Sequence, residues 1–148
     1  MKRRKSTLKR KPLGKRSGKE SKNKKAISRL TVSKLKKALD GIMREIIRIR
    51  DNNTCQWCGK SIFGRDSQPS HVKPKSIYGF LRFDEQNIKL LCLHCHRKWH
   101  LDPLLAKDWF KLRFPDRYEY LEKRGTQQKQ WKTWELLELI DKKKRQLK

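Results

Sequence analysis

"LLCLHCHRKWH", residues 90–100, holds two of the chain's four cysteines and three of its four histidines. A hydrophobic core has no use for that density of side chains able to bind metal, whereas a metal site does. Cys92 and Cys95 form one CxxC turn. A second, "TCQWCGKSI" with Cys55 and Cys58, lies upstream, with 33 residues between Cys58 and Cys92. Four thiolates in two such pairs are the donor set of a tetrahedral structural zinc. The interval exceeds ordinary zinc-finger spacing, so the ion is expected to clamp the two ends of an insert that carries something else. Redox thiols are the rival reading of the same cysteines. His94, between the second pair of thiolates, is read as a bystander.

His96 and His100 stand four residues apart and share one face of a helix. Such a pair can present two imidazole nitrogens to one cation, although many such pairs are incidental. Here the pair starts one residue after a cysteine ligand, which fixes where the helix begins and where both rings point.

Lys and Arg total 41 against 15 Asp and Glu, a net charge of +26. Self-repulsion of that size opposes compaction, so it speaks to partners, and nucleic acid is the commonest polyanion. No apolar run approaches the ~18–20 residues of a membrane span, and residues 1–25 contain no apolar stretch of the kind a secretory signal needs. A cytoplasmic protein without disulfides is the resulting expectation. Thirteen of residues 1–25 are Lys or Arg against one acid, Glu20, and this tail is expected to be disordered. It reads as a phosphate-contacting arm, against the blander options of a solvated tail or a localisation signal.

Leu35, Leu39, Ile42, Ile46 and Ile49 step by four and three, predicting a helix over about 32–51, capped by Thr31 or Ser33 and ended by "DNN". "SQPSHVKP" and "NIKLLC" predict two short strands joined by "KSIYGFLRFDEQ", followed by a helix from "HRKWHL" that stops before Pro103. Two further helices flank Pro115. The last segment, 125–148, predicts an amphipathic helix with Trp131, Trp134, Leu137 and Ile140 close to one face. This helix and the first either pack on the chain's own core or form a dimer seam. Trp99 is expected in the core. Tyr78, Phe80 and Phe83 either pack or stack on unpaired bases.

His71 in "PSHVKP" and Asn87 in "DEQNIKLLC" complete the order His71, Asn87, His96 inside the four-cysteine frame. With these residues the chain resembles the HNH endonucleases, whose core is a ββα-metal motif. The zinc-clamped subgroup shows the same CxxC…CxxCH arrangement. "SKLKKALDGIMREIIRIRD", "LRFDEQN", "LCLHCHRKWHLDPLLAKDWF" and "FPDRYEYLE" are similar to phage recombination nucleases of the NinG (Rap) type, over about residues 31–124.

The resemblance implies an α+β fold: a zinc-clamped HNH core at 31–124 flanked by amphipathic helices, after a basic tail at 1–30. It implies His71 as general base, Asn87 as either loop holder or metal ligand, and His96 with His100 as ligands of a catalytic cation. Mg²⁺ or Mn²⁺ is the expected ion, although imidazole donors also suit Zn²⁺ or Ni²⁺. Many members carry Asp or His as a cation ligand just before the catalytic His, where this chain has Ser70. Lys73, Lys75, Arg82, Lys89, Arg97 and Lys98 are the candidate phosphate contacts. The implied activity is metal-dependent hydrolysis of DNA, on branched intermediates such as Holliday junctions or D-loops, by an enzyme of the bacterial host cytoplasm. Cutting a four-way junction on two strands would favour a homodimer. The rivals are a zinc module that binds nucleic acid without cutting it, and an HNH nickase or homing-type nuclease without branch specificity.

Overall fold

The structure, a computed structural model, describes residues 31–124 and 129–148. The basic segment 1–30, with the arm expected of it, lies outside the described residues. What is described is a small α+β fold of five helices and one two-stranded antiparallel sheet. No helix in it is long and apolar enough to cross a membrane.

Helix α1 (Val32–Arg50) starts where Thr31 accepts a hydrogen bond from Lys34 N at 3.3 Å. It ends at Asn52 and Asn53, both in the left-handed region at φ 50° and 48°, which Asn tolerates better than most side chains. Its buried residues are Leu35, Leu39, Met43, Ile46 and Ile47. The expected stripe is therefore turned toward Met43 and Ile47, which leaves Ile42 half-buried and Ile49 67% exposed. The cause is the last helix, α5 (Thr133–Gln146), which packs against α1. Within the chain the two helices pack on each other, the first of the two roles considered for them from sequence. In α5 the buried residue is Leu136, whereas Trp134 is 61% exposed. Trp131 precedes the helix and donates its indole N–H to Gly79 O at 2.8 Å, so the spacing of the two tryptophans is not a helical one.

Strands β1 (Gln68–His71) and β2 (Ile88–Leu91) pair in the register Gln68↔Leu91 to His71↔Ile88. Every residue of β2 is buried. Charged groups hold its entry. Asp51 accepts from Leu90 N at 2.8 Å, and Arg50 and Arg117 both donate to Ile88 O, at 2.8 and 3.0 Å. Helix α2 (Leu93–Leu101) begins three residues before the predicted start, because Cys92 is its N-cap, with Sγ accepting from Cys95 N at 3.4 Å. Asp102 caps α3 (Pro103–Arg113) through Leu105 N at 3.0 Å, and α4 (Pro115–Arg124) follows. Trp57 of the first knuckle stacks on Trp109 of α3 at 4.9 Å between centroids, and Trp99 lies edge-on to both in the expected core.

Lys89 overturns one expectation. It is wholly buried in β2, its Nζ lies 3.0 Å from the Trp99 ring centroid, and it has no hydrogen-bond partner. Both faces of β2 are covered, and Trp99 and Phe110 close over the ammonium, so it does not face a phosphate. Burial holds its pKa well below the ordinary lysine value. A buried polar group without a partner costs about 1–3 kcal/mol. Lys89→Met should therefore raise stability by about that amount in urea denaturation; a lower midpoint would mean that the ring contact outweighs desolvation.

Candidate active site

The two knuckles are built from backbone turns. Gly59, at φ 74°, lets its N–H reach Cys55 O at 2.9 Å, and Cys55 N donates to Lys60 O at 2.8 Å. Gln56 N donates to Leu90 O at 2.9 Å, which lays the first knuckle against the end of β2, two residues before Cys92. The four sulfurs then lie within 4.8 Å of one another, with Cys58 and Cys92 at 3.9 Å. Four thiolates around zinc at about 2.3 Å would stand ~3.8 Å apart, so the donor set fits that ion. Burial, and after it the neighbouring thiols, push the Cys95 thiol far above its ordinary value. A divalent cation is what allows such a group to ionise in company.

His71 closes β1, and its Nε2 lies 2.9 Å from Arg82 O. A carbonyl only accepts, so Nε2 carries the proton and the neutral ring leaves a lone pair at Nδ1. Burial lowers its pKa from 6.5; Lys75 and Lys89 push the same way, while the Arg82 carbonyl and Asp40 oppose them. The imidazole is thus neutral at pH 7.

Asn87 is wholly buried. Its Oδ1 accepts from Lys73 N at 2.7 Å, and its Nδ2 donates to Lys73 O at 3.1 Å and to Leu81 O at 3.0 Å. The carboxamide ties down both ends of the loop that follows His71. Of the two roles considered for it, these contacts match the loop holder.

His96 and His100 point their Nε2 atoms at each other, 3.3 Å apart. Two imidazoles on one tetrahedral ion at about 2.0–2.1 Å would have nitrogens ~3.4 Å apart, so the pair is spaced for a shared cation. Among the described residues the four cysteines are the one group of three or more Cys, His, Asp or Glu with metal-binding spacing. A cation at the pair would therefore have two protein donors and open positions.

A cavity of about 580 Å³ joins these pieces. His71 and Ser70 line it from β1, His96 and His100 from α2, and Lys107, Tyr118 and Glu122 from α3 and α4. Ser70 Oγ is buried there without a hydrogen-bond partner, leaving a polar atom for water or a ligand. The last three residues carry no sequence signal, because a lone Lys, Tyr or Glu on a solvated helix is unremarkable.

The remaining candidates divide. Arg82 is corrected: its guanidinium grips Asp40 of α1 at 3.1 and 2.6 Å, tying the loop to the helix rather than facing a phosphate. Lys73 pairs with Glu122, and Lys75 is exposed, 3.9 Å from Asp40. Arg97, Lys98 and His94 are exposed on α2. Phe83 is in the core, edge-on to Trp131, while Tyr78 and Phe80 are half-buried.

Structural zinc in small domains contributes roughly 10–16 kcal/mol, as much as or more than a domain's whole stability. One zinc per chain is expected in native mass spectrometry. Stripping it should abolish cooperative unfolding and most helical circular dichroism; a metal-free chain that still melts cooperatively would contradict the clamp.

Residues 55–101 match the family model described as HNH endonuclease. No curated protein and no solved structure matches the chain. The matched segment, Cys55 to Leu101, is thus similar to an HNH endonuclease domain, and the four-cysteine cluster inside it is consistent with structural zinc.

Proposed function

We propose that the chain is a divalent-metal-dependent nuclease that hydrolyses phosphodiester bonds in DNA. One observation carries this reading. A half-buried imidazole with a bare Nδ1 and a pair of imidazoles spaced for one cation line the same cavity, in a strongly basic chain. A module that only binds nucleic acid has no need to fix the tautomer of a half-buried histidine in a cavity wall.

In this reading His71 Nδ1 takes the proton from the attacking water while the Arg82 carbonyl keeps the ring oriented. Asn87 prevents the loop from drifting, so the base stays in line with the phosphorus. His96 and His100 hold the cation, Mg²⁺ or Mn²⁺. When bound, that ion supplies Lewis-acid stabilisation of charge on the phosphate oxygens. Ser70, at the place where many relatives have a charged ligand, adds no charge, so substrate phosphate and water complete the shell. Cutting of branched recombination intermediates is the finer reading. It rests on the resemblance of the flanking segments to NinG-type nucleases.

Purified protein should be incubated with linear duplex, four-way junction and single-stranded DNA, with and without Mn²⁺. Wild type should cut only with metal and favour the junction. His71→Ala should lose about 10²–10⁴-fold in kcat while still binding DNA with steep salt dependence. Equal cutting by the variant removes His71 as base, no cutting of any substrate favours the binding module, and indifference to branching removes only the finer reading. The base must be neutral to act and its pKa is lowered. Activity should therefore rise with pH along an acid limb lying below pH 6.5 and be flat across neutrality. A limb centred above 6.5 would contradict the buried-base assignment.

A further inference from the structure

We propose that Lys73, Lys107 and Tyr118 form a second phosphate subsite on the wall of the same cavity, and that Glu122 occupies it in the free protein. The ligand is a backbone phosphate next to the one being cut, so the inference rests on the nuclease reading. Lys107, Tyr118 and Glu122 all lie beyond residue 101, outside the segment that matches the family.

Placement is the first argument. Asn87 holds both the N–H and the carbonyl of Lys73, two residues after His71. The Lys73 side chain therefore leaves from a fixed point beside the base. It is only 21% exposed, and its ammonium pairs with the Glu122 carboxylate, 49 residues away on α4. An immobilised, partly desolvated lysine at the edge of a cavity is built to hold an anion. The anion it holds now is the protein's own.

The neighbours extend the site. Lys107 of α3 lies 5.9 Å from the Tyr118 ring centroid, and Lys111, one helical turn further along α3, stands 5.8 Å from the same ring. The neighbouring Tyr118, and after it the Glu122 carboxylate, raise the pKa of Lys107, so it stays a cation. Tyr118 contributes a hydroxyl donor. Lysine and tyrosine are among the side chains that hold nucleic-acid phosphates.

Charge makes Glu122 a gate. It is the one acid among the described residues lining the cavity, which also presents Lys73, Lys75 and Lys107. A carboxylate and a phosphodiester offer the same acceptor chemistry to Lys73, so only one of them can sit there. The glutamate is 43% exposed and hence easily displaced. Loose polyanions meet a repelling carboxylate, while a strand that also engages the rest of the cavity displaces it.

The test is a binding cycle with the full zinc-loaded chain in a His71→Ala background, which prevents cutting. The readout is fluorescence anisotropy of a labelled DNA duplex across a salt series. Glu122→Gln should tighten binding by roughly two- to fivefold. In a Lys73→Ala background the same change should have no effect. Lys107→Ala should weaken binding and lower the log–log salt slope by about one. Unchanged affinity in Glu122→Gln overturns the gate, as does equal tightening with and without Lys73, which would reflect net charge alone. An unaltered salt slope in Lys107→Ala overturns the subsite. Unfolding midpoints show that each variant is folded. Wild-type cleavage is scored separately: its absence defeats the nuclease reading, while the binding cycle alone decides the subsite.

Discussion

Four sulfur atoms within 4.8 Å of one another set the geometry of everything else. Without them the two ends of a 33-residue insert would be joined by a two-stranded sheet of four residues per strand and a few contacts such as the Gln56 N to Leu90 O hydrogen bond. A lone hairpin of that size is marginal in water. Cys92 matters twice, because it is both a member of the cluster and the N-cap of α2. Positioning its sulfur positions the first turn of the helix, and the helix carries the rings of His96 and His100 one and two turns along. A metal clamp thereby becomes an orientation device for imidazoles that are not part of it.

The second constraint is the buried carboxamide of Asn87. Three hydrogen bonds from one side chain span Lys73 and Leu81, and Val72 N adds a backbone bond to Asn87 O at 2.8 Å. Arg50 and Arg117 support the same turn by donating to carbonyls of residues 85–88. Polar groups thus hold the insert where a chain of this charge has little apolar material to do so. Two of the three unpartnered buried polar side-chain atoms among the described residues, Ser70 Oγ and Lys89 Nζ, belong to residues paired across the sheet beside the cavity. Tolerating them there costs stability, and Ser70 leaves polar character in the cavity wall.

What the sequence made legible follows from locality. The cysteine spacing, the helix-borne histidine pair and both strands rest on short-range pattern, and the structure has them where the pattern puts them. The α1 stripe was legible only in part. Periodicity gives a face but not its rotation, and the packing of α5 decides that Met43 rather than Ile49 is buried. Trp131 misled because a long-range hydrogen bond to Gly79 O holds it outside the helix. Charge was the least legible property. Lys73, Arg82 and Lys89 look alike in sequence, yet one pairs with Glu122, one grips Asp40 and one is sealed under Trp99. Those fates depend on partners 49, 42 and 10 residues away.

The central claim is spatial: the ring at position 71 and the pair at 96 and 100 serve one cation site, and the fourth histidine does not. Histidine-selective NMR during a titration with Mn²⁺ tests it without any need for activity. Signals of His96, His100 and His71 should broaden together at the lowest additions, with His94 following later, and His71 should show its proton at Nε2 before metal is added. Broadening of His94 ahead of the others, or a His71 signal that stays sharp while the pair at 96 and 100 disappears, would contradict the account.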